Sequence, residues 1–202
     1  MTRGGATGRG LPGRRRSARA FRWWATTLVC VALSLPAIAL AQSSEDSALE
    51  RRVKAAFIYQ FIPYVEWPPK AFPDAETPIV VSVVGSEQAV GELQEVIGKR
   101  SAQGRPLLVR RWRDSDAQGG PHVVYVTRSH ADRLPAVARA AQANGMLVVS
   151  EQETGLDQGG MINFRLVDGK VRFDVALGPA ERAGLRISSR LLAVAQTVRA
   201  AS

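Results

Sequence analysis

The sequence predicts a single three-layer α/β domain, with a mainly parallel sheet, helices on both faces and an added C-terminal β-hairpin. Three observations predict it. Apolar β-branched runs alternate with segments of helical period from residue 48 to residue 149. The runs over 78–84 and 146–149 are apolar almost throughout, as strands buried on both faces are. Further on, two strand-like segments flank Asp168-Gly169, a strong signal for a two-residue hairpin.

Residues 1–41 precede this domain and read as a cleavable secretory signal. Seven arginines (Arg3, Arg9, Arg14, Arg15, Arg16, Arg19, Arg22) and no acidic residue stand before an apolar run over 25–40. Pro36 breaks a helix shortly before Ala39-Leu40-Ala41, the small-x-small form that signal peptidase accepts. The run is shorter than the ~20 residues of a spanning helix, and Cys30 follows Val29 rather than the small residue of a lipoprotein site. Arg14-Arg15-Arg16 hints at twin-arginine export, but the residues after it fit that signature poorly, so the general route is expected. Cleavage after Ala41 leaves 161 of 202 residues; it removes seven of 27 basic residues and none of 18 acidic ones, so the net charge falls from +9 to about +2. The electrostatic footprint of a nucleic-acid binder therefore belongs to the signal and not to the domain. The only cysteine also leaves, so the domain stands on packing without disulfides. A chain of this size normally forms one domain with a sizeable core.

After a flexible lead over 42–47, the domain is expected over 48–199. Apolar residues at 49, 53, 56, 57 and 61 keep helical spacing, and Pro63, which has no N–H to donate, ends that helix. A strand over 78–84 leads through Gly85 to Ser86, a helix cap for 87–97. Strands follow over 106–112 and 122–127. A helix opens at Ser129 or Ala131 and closes at Asn144-Gly145, and a buried strand over 146–149 leads into a polar loop over 150–160. The hairpin arms are 161–167 and 170–177. In the second arm Val171, Phe173 and Val175 alternate with Arg172, Asp174 and Ala176, so one face is expected on the core and the other in solvent. A helical turn spans 179–183, and Ser188 or Ser189 caps a final amphipathic helix through Val198.

Chemistry-bearing motifs are sparse. His122 and His130 sit near element ends with no cysteine or clustered carboxylate beside them, so they are expected as solvated or capping residues and no metal site is expected. No serine stands in a Gly-x-Ser-x-Gly elbow. Gly85-Ser86, between a buried strand and a helix, is a possible anion site, although such a pair is more often plain turn chemistry. Arg110-Arg111-Trp112-Arg113 could meet an acidic partner or lipid headgroups, but such a run is more often a solvated edge strand charged against pairing, and that is expected here. The segment 57–68 is too rich in aromatics to hide on one stripe, which leaves Tyr64 or Trp67 as a surface anchor.

Three blocks resemble the YfiR-type family of periplasmic regulatory proteins. They are 53–59 running on to Glu66-Trp67-Pro68, then Gly159-Gly160-Met161-Ile162-Asn163-Phe164 with 169–173, and then 183–192. The resemblance covers residues 50–198. Pro63 interrupts the first block, and the disulfide switch of some members is unavailable to a domain without cysteine. The resemblance implies a non-enzymatic, cofactor-free periplasmic protein that binds the sensor domain of an inner-membrane diguanylate cyclase, lowers cyclic di-GMP and restrains biofilm. It also allows an envelope sensor kinase as partner, a homodimer, and, as the alternative reading, a small-ligand sensor serving a kinase or transport system.

Partners and ligands gather at strand ends and their loops. The candidate binding residues are accordingly Glu66 and Trp67 after the first helix, and Arg186 and Ser188 before the last. Asn163, Phe164, Arg172 and Asp174 are candidates on the hairpin.

Overall fold

The computed structural model describes residues 47–200. The signal with Ala39 and Ala41, and positions 42–46 of the lead, lie outside the described residues.

Helix α1 covers 47–61 and gives way at Pro63 to a 3₁₀ turn, Ile62–Tyr64. Its buried face is Lys54, Ala55, Ile58 and Phe61, while Leu49 is 62 % exposed. The buried stripe is therefore rotated from the one the apolar residues suggest, because a lysine occupies a core position. Strand β1 (Val65–Glu66) follows, and β2 (Ile79–Val84) enters the sheet. Helix α2 (Glu87–Ile97) is capped as expected: Ser86 Oγ accepts from the Ala89 amide at 3.3 Å. Next come β3 (Ser101–Ala102), β4 (Arg105–Arg111), β5 (Val123–Val126), α3 (Leu134–Asn144) and β6 (Leu147–Ser150). The hairpin is β7 (Ile162–Val167) and β8 (Lys170–Ala176), turned by Asp168 and Gly169 at φ of 50° and 70°. That turn needs two left-handed residues, which Asp-Gly supplies at low cost. The chain ends through α4 (Leu177–Arg182), β9 (Arg186–Ile187), α5 (Ser189–Leu192) and β10 (Thr197–Arg199).

The eight-stranded sheet has the order β10-β8-β7-β6-β5-β2-β4-β3. Strands β4, β2, β5, β6 and β7 are parallel, and β8 turns back antiparallel to β7. The first strand of the sheet lies between the second and third long ones. The chain thus winds one way through α2 and the other way through α3, and right-handed crossovers put those helices on opposite faces. The register sorts the side chains. Val83, Tyr125, Val149, Ile162, Phe164 and Phe173 share the face that carries α1, where Phe57 and Phe61 pack on Phe164 and Phe173 at 4.8–6.2 Å. The opposite face carries buried polar groups: Ser82, Ser150, Asn163 and Asp174.

Four expectations are corrected. The final helix is a single turn, after which Thr197–Arg199 pairs parallel with β8. A lone helical turn is marginal, whereas the open edge of β8 offers a ladder, and Gln196 N already donates to Phe173 O. The second face of β8 is solvated only near the tip, at Arg172: Asp174 and Ala176 are buried, because Asp174 stands opposite Asn163 inside the sheet. Arg110 is not an edge charge in water. It grips the buried Asp116 carboxylate with both terminal nitrogens at 2.6 and 2.7 Å. Burial alone would raise the Asp116 pKa, but Arg110 and the Arg113 amide outweigh it and hold the carboxyl below its usual range. His122, finally, is buried. Its Nδ1 accepts from Val80 N at 3.1 Å, so Nε2 carries the proton and donates to Ala71 O at 3.0 Å, while the ring stacks on Phe72 at 4.5 Å. Burial pushes its pKa below the ordinary histidine value, against the Ala71 carbonyl and helped by the Arg105 charge.

His122 therefore folds in neutral form, while the unfolded chain takes up its proton below about pH 6.5. Stability is expected to fall as pH drops from about 6.5 through the lowered native pKa, because the unfolded state then binds more protons. Urea unfolding at pH 7.5 and 5.5 checks this: His122→Gln loses that part of the slope, and His122→Ala costs about 2–4 kcal/mol at either pH by stranding Val80 N and Ala71 O.

Candidate functional site

Two places stand out, one at each end of the parallel strands. At their carboxyl ends, the loops after β2, β5 and β6 open a cavity of about 420 Å³ beneath the start of α1. It lies beside the junction of β2 and β5, where the winding direction reverses and α/β sheets bind ligands. The floor is apolar: Ala55, Ala89, Leu93 and the Tyr125 ring. The rim is charged and hydroxylic: Arg51, Glu92, Ser86, Thr127, Arg128, Ser129 and Glu151. A second cavity of about 390 Å³ adjoins it across a wall formed by Arg128 and Glu151, and Gln152 lines that one.

Buried charge organises this end. Lys54, 5 % exposed, donates to Glu151 from α1 and pairs with Glu50 at 2.5 Å. The other Glu151 oxygen accepts from the Arg128 amide at 2.8 Å, and Arg128 Nε reaches the Glu151 carbonyl at 3.3 Å. Burial and the neighbouring Glu151 carboxylate, which also accepts its hydroxyl, push Tyr125 well above the ordinary tyrosine pKa and keep it neutral. Arg51 Nε bonds both oxygens of Glu92 at 2.8 and 2.7 Å, tying α1 to α2. Next to the rim, Ser129 Oγ lies 3.0 Å from His130 Nδ1. Gln152 is 7 % exposed, and neither its amide nitrogen nor its oxygen has a partner among the described residues. Leaving such a group unpaired costs about 1–3 kcal/mol. Periodicity gave no sign of this cavity, because its members come from four separate segments, 51–55, 86–93, 125–129 and Glu151. The one available signal was Gly85-Ser86 at a strand–helix turn.

At the other end of the strands, β1 and β9 form a two-residue antiparallel clasp. Glu66 and Arg186 are direct partners, both largely exposed, with side chains 3.8 Å apart. Trp67 is half-buried; its Nε1 donates to His122 O at 3.2 Å, and it meets Phe72 and His122 edge-on. Ser188 N donates to Tyr64 O, and Ser188 Oγ accepts from Arg190 N to cap α5. Tyr64, 37 % exposed, completes the patch.

The clasp thus unites four of the eight candidates. The hairpin residues divide. Arg172 is exposed near the tip, beside Leu49 and Val53 of α1. Asn163, Phe164 and Asp174 are buried and offer no surface to a partner. Phe164 belongs to the aromatic core. Asn163 Oδ1 accepts from Ser150 Oγ at 2.7 Å and Gln152 N at 3.2 Å. Asp174 Oδ2 accepts from Arg165 at 3.3 Å, and its Oδ1 is unpartnered among the described residues. Gly155 packs so closely here that a Cβ would stand 2.2 Å from Asn163 Oδ1 and 2.4 Å from Ser150 Oγ.

Lys54→Met is expected to destabilise by about 3–5 kcal/mol by leaving Glu151 without its buried cation, whereas Arg186→Ala costs less than about 1 kcal/mol. Chemical denaturation of the two variants side by side checks the contrast. Gly155→Ala, which drives a methyl into the Asn163–Ser150 bond, is expected to cost about 3 kcal/mol or more in the same measurement.

The comparisons with known proteins agree with the α/β fold. A crystal structure of a conserved domain protein from Vibrio cholerae O1 biovar El Tor str. N16961 superposes with a TM-score of 0.51 at 14 % identity. The match covers 74 % of this chain and 60 % of that one. At that identity the likeness speaks for the α/β fold alone. No curated protein gives a significant sequence match. The YfiR/HmsC-like family model matches residues 51–196, nearly the whole described domain. With most of α1, the hairpin and the clasp inside that match, the chain belongs to the YfiR/HmsC-like family of periplasmic regulators.

Proposed function

We propose that this chain is exported by its N-terminal signal and acts without catalysis, as a regulatory binding protein that holds an inner-membrane diguanylate cyclase inactive. It does so by binding the cyclase's periplasmic sensor domain through the clasp, and cellular cyclic di-GMP falls as a result. The observation that carries the reading is the β1–β9 pairing. Segments 120 residues apart, each from a block that resembles the family, are held side by side with Glu66, Trp67, Arg186 and Ser188 in one patch. The patch has the make-up of a protein-binding spot: an aromatic anchor half out of the core, beside exposed charges of both signs. The Glu66–Arg186 contact is long and solvated, so a partner's charges can replace it at little cost. Arg172 lies apart from the clasp and serves as a secondary contact. Buried Asn163, Phe164 and Asp174 support the hairpin from within.

Repression requires tighter binding to the inactive cyclase than to the active one, because equal affinity shifts no population. An envelope sensor kinase is the other partner class that fits the same patch. A homodimer is a further possibility that the same patch allows.

The test is cyclic di-GMP in a deletion strain carrying the gene with and without its signal. A rise on deletion that only the exported form reverses is expected. Glu66→Arg with Arg186→Glu is expected to abolish the reversal, with a melting temperature within ~2 °C of wild type. No rise on deletion removes the cyclase as partner; reversal by the clasp variant removes the clasp.

A further inference from the structure

The crevice at the carboxyl ends of the strands has a different make-up from the clasp and lies at the other end of the sheet. Three features converge there. The first is an unspent cation. Arg128 is exposed, its backbone amide and Nε are committed to Glu151, and its two terminal nitrogens have no partner among the described residues. It stands in the wall between the two cavities and lines both. The carboxylates nearby are engaged elsewhere or unbonded to it: Glu50 and Glu151 share buried Lys54, Glu92 is held by Arg51, and Glu153 on the second cavity makes no ion pair with Arg128 among the described residues. The start of α2, at Ser86 on the rim and Ala89 on the floor, adds the positive end of an eleven-residue helix. The second feature is apolar room on one side of Arg128, floored by Ala55, Ala89, Leu93 and the Tyr125 ring and large enough for a Leu or Phe side chain. The third is the Gln152 amide on the other side, buried with both its donor and its acceptor unserved among the described residues.

An anion between an apolar group and an amide is the pattern of an acylated amino acid. We infer that this crevice binds an N-acylated α-amino acid with an apolar side chain, free or as the C-terminal residue of a peptide. The carboxylate sits on the Arg128 fork, the side chain enters the Tyr125 cavity, and the acyl amide pairs with Gln152. An inorganic anion would use Arg128 and leave both the apolar floor and Gln152 unserved. A neutral apolar molecule would leave Arg128 and Gln152 unserved.

Calorimetric titration of the purified chain with N-acetylphenylalanine tests this. Saturable one-site binding is expected. N-acetylphenylalaninamide, which lacks the carboxylate, is expected to bind at least tenfold more weakly, and 3-phenylpropionate, which lacks the amide, at least fivefold more weakly. N-acetylglycine, which lacks the side chain, is expected to show no binding. Arg128→Met is expected to weaken N-acetylphenylalanine at least tenfold. Gln152→Leu is expected to erase its advantage over 3-phenylpropionate. That change replaces an unpaired buried amide with an apolar group of similar size, so the fold is retained. Ala89→Phe, which fills the cavity, serves as an independent block. A tripeptide ending in Phe separates the two sources: tighter binding than the acetylated residue points to peptide ends and weaker binding to free acyl amino acids, and either upholds the site. No binding of N-acetylphenylalanine to the wild-type chain overturns the inference. Equal binding of acid and amide, or unchanged binding in all three variants, overturns it as well. Clasp variants are expected to leave this binding unchanged, so its failure and that of the regulatory reading are separable.

Discussion

A parallel sheet without disulfides has to cover both of its faces, and the face that carries α1 is covered by aromatic packing. Phe57 and Phe61 reach down from α1 onto Phe164 and Phe173 of the hairpin, and Tyr125 touches the same cluster. Each such ring removes on the order of 150–250 Å² from water. The cluster joins the first described helix to strands more than a hundred residues later, and so fixes where α1 lies. Because α1 is one continuous helix, fixing its middle also fixes its two ends. The start, with Arg51 and Lys54, is held over the carboxyl ends of the strands. The exit through Tyr64 and Val65 is held against β9 at the opposite end of the strands.

The two ends then treat charge in opposite ways, and the magnitudes follow burial. Lys54 lies in the core with two carboxylates. Separating such a group from its partner costs several kcal/mol, so it is committed to structure. Glu66 and Arg186 lie in water 3.8 Å apart, where a pair contributes less than about 1 kcal/mol and is free to exchange partners. Arg110 falls between these cases. Its bidentate grip on Asp116 is strong because the acceptor is buried, and Ser82 Oγ lies 3.4 Å from the same carboxylate.

The strands were legible because runs such as Ile79–Val84 are buried on both faces and carry the signal in every residue. The turn chemistry of Ser86 and Asp168-Gly169 was legible because it is local. What misled is long-range. Asp174 and Lys54 look like surface residues until the sheet register and α1 bring Asn163, Glu50 and Glu151 to them. The segment after Ser188 has helical composition, yet it yields to the free edge of β8, an opportunity that no local pattern reveals. The clasp was half legible: Glu66, Trp67, Arg186 and Ser188 came from blocks that resemble the family, and only the fold makes them neighbours. The crevice was nearly invisible, since none of its segments has a motif beyond Gly85-Ser86.

From Ala55 on the crevice floor to Tyr64 the chain runs nine residues, about 14 Å as helix, and this is the shortest covalent path between crevice and clasp. The first turns of α1 are tied to Glu92 and Glu151, and its exit to Ser188 through the Tyr64 carbonyl. A helix pinned at both ends and packed on the hairpin through four phenylalanine contacts in between has little freedom to bend. A disturbance of the Lys54–Glu151 contact could reach the clasp only by moving that helix against the sheet. Such a shift has to repack Phe57 and Phe61, and close-packed cores change between discrete arrangements more readily than by degrees. Coupling between two such sites is reciprocal by linkage. A partner that prefers one setting of α1 at the clasp would alter affinity at the crevice by the same factor by which a crevice ligand alters the partner's.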